Sequence, residues 1–448
     1  MRMPEPRTIT EAAELIRRGE LTPIDLLEQC LARIDRYEGK VRAWVVVDRD
    51  GARQQAERLT AELKAGQNRG PLHGIPIGIK DIIDVFDLPT GCGSKLWANS
   101  IARRDATVVT RLRQAGAIIM GKTVTTAYAS FDPPVTRNPW NLERTPGGSS
   151  SGSAAAVACG MCLGALATQT GGSITRPAAY CGVYSIKPTY GRASLDGVLG
   201  LAPSMDHMGC MANSVRDLAL LLQPLARRDD HASKPYHYHG ELKDEAFSRT
   251  RQLSILPDFL PGKADKVMYR AIDDLKKRSQ KQGWTWNELP LPPSFGDVPG
   301  FHHTLMAVEA AAFHAERMKR HPDDYPPKIT SLIQHGQATT ALQFVELKDH
   351  LKQFRDEIEQ CFVDSWRTFI TPATTGPAPA DNTTGDPAFN APWSYSGLPV
   401  VSLPVGWSPD GLPISVQLTG EQWCEDDLLA VALMLEETIG FEPRPLPL

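Results

Sequence analysis

Between Arg144 and Arg176 the chain carries no Asp, Glu, Lys or Arg, and residues 145–175 read T-P-G-G-S-S-S-G-S-A-A-A-V-A-C-G-M-C-L-G-A-L-A-T-Q-T-G-G-S-I-T. In a chain that is 22% charged, thirty-one uncharged residues rich in Gly, Ser and Ala place backbone and small hydroxyls close against something in an interior. A substrate pocket meets that demand. The most apolar part, 153–167, falls short of the roughly 20 residues that span a bilayer. Gly160 and Gly164 also break it, so it reads as a buried helix and strand.

The rest of the chain supplies a large core around this run. Of its 448 residues 42% are hydrophobic, and the formal net charge is -4. That balance describes a soluble globular protein without the basic excess that nucleic acid or an anionic membrane selects, so neither is expected as a partner. Met1 to Thr10 contains charges and prolines but no apolar signal core, which points to the cytoplasm. Eight scattered cysteines do not make a disulfide framework, and Cys159-Gly-Met-Cys162 has no second pair at zinc spacing. Small buried thiols are the expectation. His237 and His239, like His302 and His303, lack acidic or cysteine partners at ligand spacing, so no metal is expected.

Taken in order, the chain alternates strand with helix. Helices are expected at 9–18 and 23–37, the second with Thr22 as N-cap, Pro23 at its first position and Gly39 beyond its end. A strand at 43–47 and a polar helix at 50–64 follow. The apolar strand leading to Lys80 ends, unusually, on a lysine: a surface lysine is the ordinary reading, a buried amine acting as base the sharper one. A helix at 106–115, a strand at 117–120, the helix and strand of the uncharged run, a strand at 180–187 and a helix at 216–225 continue the pattern. The alternation predicts an α/β fold with a mixed, mostly parallel twisted sheet covered by helices on both faces. Residues 1–66 form its helical entry, and 227–365, richer in charge, His and Pro, form a variable peripheral helical insertion within one domain spanning 1–448.

Three chemistries compete for the uncharged run. A phosphate cradle would use the Gly/Ser segment 147–153 ahead of a helix, but no Gly-Lys-Ser/Thr ending and no G-x-G-x-x-G accompany it. A nucleophile elbow would use Gly148-Ser-Ser150-Ser-Gly152, but loop, not strand, precedes it. The third reading joins both ends of the run, the serines at 149–151 and Thr170-Gly-Gly-Ser173. A helix and a strand between them fold one serine cluster towards the other, and Lys80 can supply the base that a serine pair lacks. Glycines before Ser173 free backbone amides for an oxyanion hole.

These residues resemble the amidase signature family. The likeness covers Arg69 to Asp81 (R-G-P-L-H-G-I-P-I-G-I-K-D), Pro146 to Ser153, Thr170 to Ser173, Cys181-Gly-Val, Lys187 to Arg192, Leu201 to Asp206 and Gly411 to Leu418. It implies an amidase-signature fold and a Ser, cis-Ser, Lys triad at Ser173, Ser149 and Lys80, with an oxyanion hole from the N–H groups of Thr170, Gly171, Gly172 and Ser173. No cofactor is implied. Two positions depart from many relatives: Gln169 stands where Asp is common, and Thr175 stands where Arg follows Ser-Ile, with Arg176 one place later.

Within that resemblance the expected activity is hydrolysis of small apolar or aryl amides, anilides or carbamates (urethanes) by a free-standing monomer or homodimer. The loop 125–140 supplies a pocket wall through Tyr128, Phe131, Pro133, Pro134 and Trp140, with Trp393 adding to it. Gly147, Gly148 and Gln169 are also expected against the substrate. The glutaminase component of a tRNA-dependent amidotransferase would carry an Ala-Arg-Tyr/Phe-Asp-Gly segment, absent from 227–365. A catalytically inactive binding protein would have no need of all three triad residues.

Overall fold

The computed structural model describes residues 4–226, 251–362 and 368–448. It opens with α1 (Ile9–Arg17), α2 (Pro23–Val41), β1 (Trp44–Val47) and α3 (Arg49–Lys64). Thr8 and Thr22 start the first two helices through capping boxes answered by Glu11 and Asp25. Gly39 lies inside α2, not beyond it, because the helix continues until Arg42 turns left-handed. Next come β2 (Pro76–Lys80), α4 (Thr107–Gln114), β3 (Ile118–Thr123), α5 (Ser151–Ala158) and β4 (Gly164–Gln169). They are followed by α6 (Thr175–Cys181), β5 (Tyr184–Lys187), β6 (His207–Ala212) and α7 (Val215–Leu225). Beyond residue 250 lie β7 (Gln252–Ile255), α8 (Lys266–Gln280), β8 (Thr285–Glu288), α9 (Val298–Arg320), α10 (Pro327–Ala338) and α11 (Ala341–Gln360). The chain closes with β9 (Phe369–Pro372), α12 (Ala391–Ser396), β10 (Val400–Trp407), β11 (Pro413–Thr419) and α13 (Glu425–Ile439).

All eleven of these strands join one sheet in the order β1-β3-β2-β4-β6-β5-β10-β11-β9-β7-β8. Successive strand residues feed opposite faces, as the two-residue period requires. Ile77, Ile79, Ile119, Leu166, Ile186 and Cys210 enter one apolar cluster with α1, α7 and α13. Ile118, Met120, Ala165, Ala167 and Met211 enter a second with α2, α3 and α5. A third, aromatic-rich cluster ties α9 and α11 to α12. No helix among the described residues is long and apolar enough to cross a membrane.

The sheet is mixed, but the expectation that it is mostly parallel is corrected: among the described residues six of its ten strand pairings are antiparallel. Parallel neighbours need a helical crossover. That holds for β2-β3-β4, whereas β5 reaches β6, and β10 reaches β11, without an intervening helix. The expected strand at 180–187 shortens to β5, since Tyr180 and Cys181 end α6. The stretch 227–365 is not purely helical either, because β7 and β8 extend the sheet from β9.

Candidate active site

The parallel trio β3-β2-β4 brings three strand C-termini to one edge, where open α/β sheets bind ligands. Lys80 ends β2, and the loop 170–173 leaves β4 at that edge. The turn before α5 docks onto the chain leaving β3, with Thr126 N–H donating to Ser149 O at 3.2 Å and Gly152 N–H to Val124 O at 2.9 Å. A Cβ on Gly152 would stand 2.2 Å from Ala43 O and 2.3 Å from Val124 N, so only glycine permits this approach. Ser149 is thereby set against Lys80, and the Gly148–Ser149 peptide is cis.

Lys80 is fully buried. Its Nζ hydrogen-bonds Ser149 Oγ at 2.8 Å and Thr168 Oγ1 at 2.7 Å, with Thr168 O at 3.5 Å. Desolvation pulls the amine pKa down to about 7, although the Asp206 carboxylate and Cys92 oppose it. Asp206 itself is occupied: Thr170 Oγ1 donates to Oδ1 at 2.5 Å, and the Leu201 and Ala202 amides donate to Oδ2 at 2.8 and 3.0 Å. A buried amine near half-protonation beside a hydroxyl can accept that hydroxyl's proton.

Ser173, 24 residues beyond Ser149, precedes α6 and keeps part of its surface open. Among the described residues its hydroxyl makes no hydrogen bond, so the link from Ser149 to Ser173 is not closed in this structure. The loop's amides are as informative. The N–H groups of Gly171, Gly172 and Ser173 donate to nothing among the described residues. Meanwhile the carbonyls of Thr170 and Gly172 accept from His302 Nε2 at 3.0 Å and Arg176 N–H at 2.9 Å. Consecutive amides without a partner among the described residues, beside a partly open hydroxyl, are chemically able to receive an oxyanion.

Several residues expected against the substrate have other partners. Gln169 Oε1 accepts from the Ile174 and Thr175 amides at 2.8 and 3.0 Å, and Gln169 Nε2 donates to Ser394 Oγ at 3.1 Å. It anchors the backbone just past Ser173. Gly147 turns at φ +82°, where a Cβ would meet Pro177 at 2.7 Å, and the Gly148 carbonyl accepts from Arg176 Nη2 at 2.8 Å. Both glycines therefore act in packing. Tyr128 is fully buried, its hydroxyl bonded to Asp324 and Ser94 and its ring stacked on Tyr325. Trp393 is also fully buried and stacks on Phe259 with centroids 5.0 Å apart. Phe131, half-buried, packs against the same aromatic cluster. Trp140 Nε1–H donates to Cys181 O at 2.8 Å, at the end of α6 farthest from Ser173.

Residues without an assigned role in the sequence complete the surroundings. Arg176 is buried under Gly172 with Nε and Nη1 unpartnered among the described residues, and burial lowers its pKa to about 10. Asn390 Oδ1 lies against the same glycine and has no partner among the described residues. His302 reaches the loop from α9. Asn390 and His302 approach through tertiary packing, so no short-range pattern marks them, whereas Arg176 stands three residues after Ser173. Cys159 and Cys162 are free and buried, as expected, and burial raises both thiol pKa values. Among the described residues no three His, Cys, Asp or Glu side chains are grouped to hold a metal; His237 and His239 lie outside those residues.

Comparison with known proteins agrees with the geometry. The amidase family model matches residues 25–429. A glutamyl-tRNA(Gln) amidotransferase component from Roseiflexus sp. (strain RS-1) is 33% identical, covering 98% of this chain and 97% of that protein. A crystal structure of an amidase superposes with a TM-score of 0.86 at 32% identity, over 97% of this chain and all of the other. The peptide amidase of Stenotrophomonas maltophilia gives 0.84 at 27% identity, over 99% of this chain and 100% of its own.

Proposed function

The chain belongs to the amidase family of hydrolases acting on carbon–nitrogen bonds, and from that premise we propose that it is a free-standing serine hydrolase of small apolar or aryl amides and carbamates. The observation that carries this reading is the contact between a fully buried Lys80 and Ser149, with the amine held near pKa 7.

In the proposed mechanism neutral Lys80 takes the Ser149 proton while Ser149 takes that of Ser173, and Ser173 Oγ bonds to the substrate carbonyl carbon. The carbonyl π-electrons move to oxygen, and the amides of 170–173 hold the oxyanion. Collapse of the tetrahedral adduct breaks the C–N bond, with the proton returning through Ser149 to the leaving amine. Water repeats the sequence on the acyl-Ser173 ester and releases the acid. Closing the Ser149–Ser173 hydrogen bond is assigned to substrate arrival, since catalytic hydrogen bonds often tighten only in the complex.

The apolar choice of substrate rests on the absence of charge from residues 145–175 and on the half-buried Phe131 of the loop after β3. A second reading, as the glutaminase component of an amidotransferase, draws on the Roseiflexus relative. A turnover panel of glutamine, aliphatic amides, anilides, aryl esters and N-aryl carbamates, run on wild type and Ser173→Ala, decides between them. Anilide or carbamate cleavage abolished by the alanine is expected. Ammonia release from glutamine alone would replace this reading with the second, and full activity in Ser173→Ala would remove the mechanism.

A further inference from the structure

Resting on the Ser173 reading, we propose that His302 is a positioning residue for the oxyanion hole: α9 delivers an imidazole that holds the Thr170 carbonyl and so turns the Gly171 N–H into the site. In a trans peptide the C=O and the following N–H point in opposite directions. Fixing one therefore aims the other. His302 Nε2 lies 3.0 Å from Thr170 O, and because a carbonyl only accepts, the ring proton is on Nε2. The residue is 3% exposed, and burial lowers its pKa to about 4, so the ring stays a neutral donor.

The clamp has two arms on one residue. Thr170 is held at its hydroxyl by Asp206 at 2.5 Å and at its carbonyl by His302. With both fixed, the Thr170–Gly171 peptide plane cannot rotate. The ring also lies over Gly171, where a Cβ would stand 3.4 Å from Cε1. The next peptides are fixed in the same sense: Ser394 Oγ approaches Gly171 O at 3.5 Å, and Arg176 N–H donates to Gly172 O at 2.9 Å. Arg176 is local to the loop, and Ser394 sits on α12. His302 differs because it comes from α9, more than 100 residues along the chain from the loop, so that among the described residues of 251–362 it is the side chain that bonds the Thr170 carbonyl. A hydrogen bond accepted by Thr170 O also polarises the peptide and strengthens Gly171 N–H as a donor.

The test compares His302→Leu and His302→Gln in the full chain, using an anilide that the wild type turns over. A trifluoromethyl ketone, which forms a tetrahedral oxyanion adduct with a serine, serves as probe, and the product aniline, which has no oxygen to place in the hole, serves as ground-state ligand. His302→Leu is expected to lower kcat by about 100-fold and weaken the ketone by a similar factor. KM and product binding should stay within about 2-fold, because they do not use the oxyanion. His302→Gln, whose amide can reach the Thr170 carbonyl, should recover most of the loss. Wild-type kcat and ketone affinity in His302→Leu would overturn the proposal, as would equal losses of ketone and product binding, which mark general packing damage. Should His302→Leu lose its thermal transition, His302→Asn, too short to reach Thr170, takes its place under the same criteria. If Ser173→Ala is inactive while His302→Leu is unaffected, this inference fails alone; if Ser173→Ala stays active, the underlying mechanism fails.

Discussion

Two lysines are fully buried on neighbouring strands, and their surroundings are opposite. The register pairs Ile79 with Lys122 and Lys80 with Thr123, which sends the two amines to different faces of the sheet. Lys122 meets the Asp81 carboxylate at 3.1 Å, with Pro89 O at 2.8 Å and Thr90 Oγ1 at 3.0 Å. Lys80 meets two hydroxyls and a carbonyl, while Asp206, the acid that acts on it, is bonded elsewhere. Burial lowers both lysine pKa values, and Asp81 pulls against it at Lys122. Desolvation is common to both; a hydrogen-bonded counter-charge is not. A lysine with a bonded carboxylate is an ion pair that holds strand ends, and one with only hydroxyls is free to take a proton.

The largest test of that contrast replaces each lysine with methionine. Lys80→Met should lower turnover by about 10³-fold or more, the scale of a lost general base, while thermal stability stays equal or rises because a desolvated amine has gone. Lys122→Met should do the reverse. It leaves Asp81 buried without its partner, a loss of about 3–5 kcal/mol, yet the folded fraction should keep its kcat. Matched thermal melts and active-site-titrated rates check both, and a stable, inactive Lys122→Met would erase the distinction.

A smaller effect lies in the pH profile. With Lys80 near pKa 7, kcat/KM should rise through about pH 7 and then level off as the amine becomes neutral. Asp206 raises that pKa, so Asp206→Asn should move the midpoint to lower pH, although an amide accepts on one side alone, and losing either the Thr170 bond or the Leu201 and Ala202 bonds will also lower the plateau. The linked stability has a defined sign. Below about pH 7 the folded and unfolded states are both protonated at this lysine, and the buried charge is unfavourable. From about 7 towards the ordinary lysine value of 10.5 the unfolded chain holds more protons, so stability rises with pH. Lys80→Met should lack that component. An unchanged midpoint in Asp206→Asn would detach Lys80 from the limb.

How much of this the sequence discloses follows from range. Lys80, Ser149 and Ser173 are legible because each stands in a local pattern: an apolar strand ending on lysine, and Gly/Ser clusters at both ends of an uncharged run. The cap at Thr22 is legible for the same reason. By contrast β6, H-M-G-C-M-A, has no β-branched residue to signal a strand, and α6 is a seven-residue helix with Pro177 inside and no apolar period. Without these two elements a mixed sheet reads as mostly parallel. The partners of the loop, His302, Asn390 and Ser394, come from more than 100 residues away, and no spacing rule reaches that far. Aromatic character misleads too: Trp393 and Tyr128 suit a pocket wall by type, but type alone does not say which way a ring faces.

Tyr128 offers the smallest test, and it carries the comparison from amines to hydroxyls. The Ser149 hydroxyl faces an amine at the strand edge, whereas the Tyr128 hydroxyl faces the Asp324 carboxylate and Ser94 and ties the loop after β3 to the segment that follows α9. Burial and that carboxylate raise the phenol pKa, so it stays protonated and donates. Tyr128→Phe keeps the ring stacked on Tyr325 and deletes only the hydrogen bond, which to a charged acceptor contributes about 1.5–3 kcal/mol. Stability should fall by about that much, while KM and kcat for an apolar anilide stay within about 2-fold. A several-fold rise in KM with an unchanged melting temperature would return Tyr128 to the substrate wall. The hydroxyl that binds a carboxylate would then be the one that serves the site, contrary to the pattern of the two lysines.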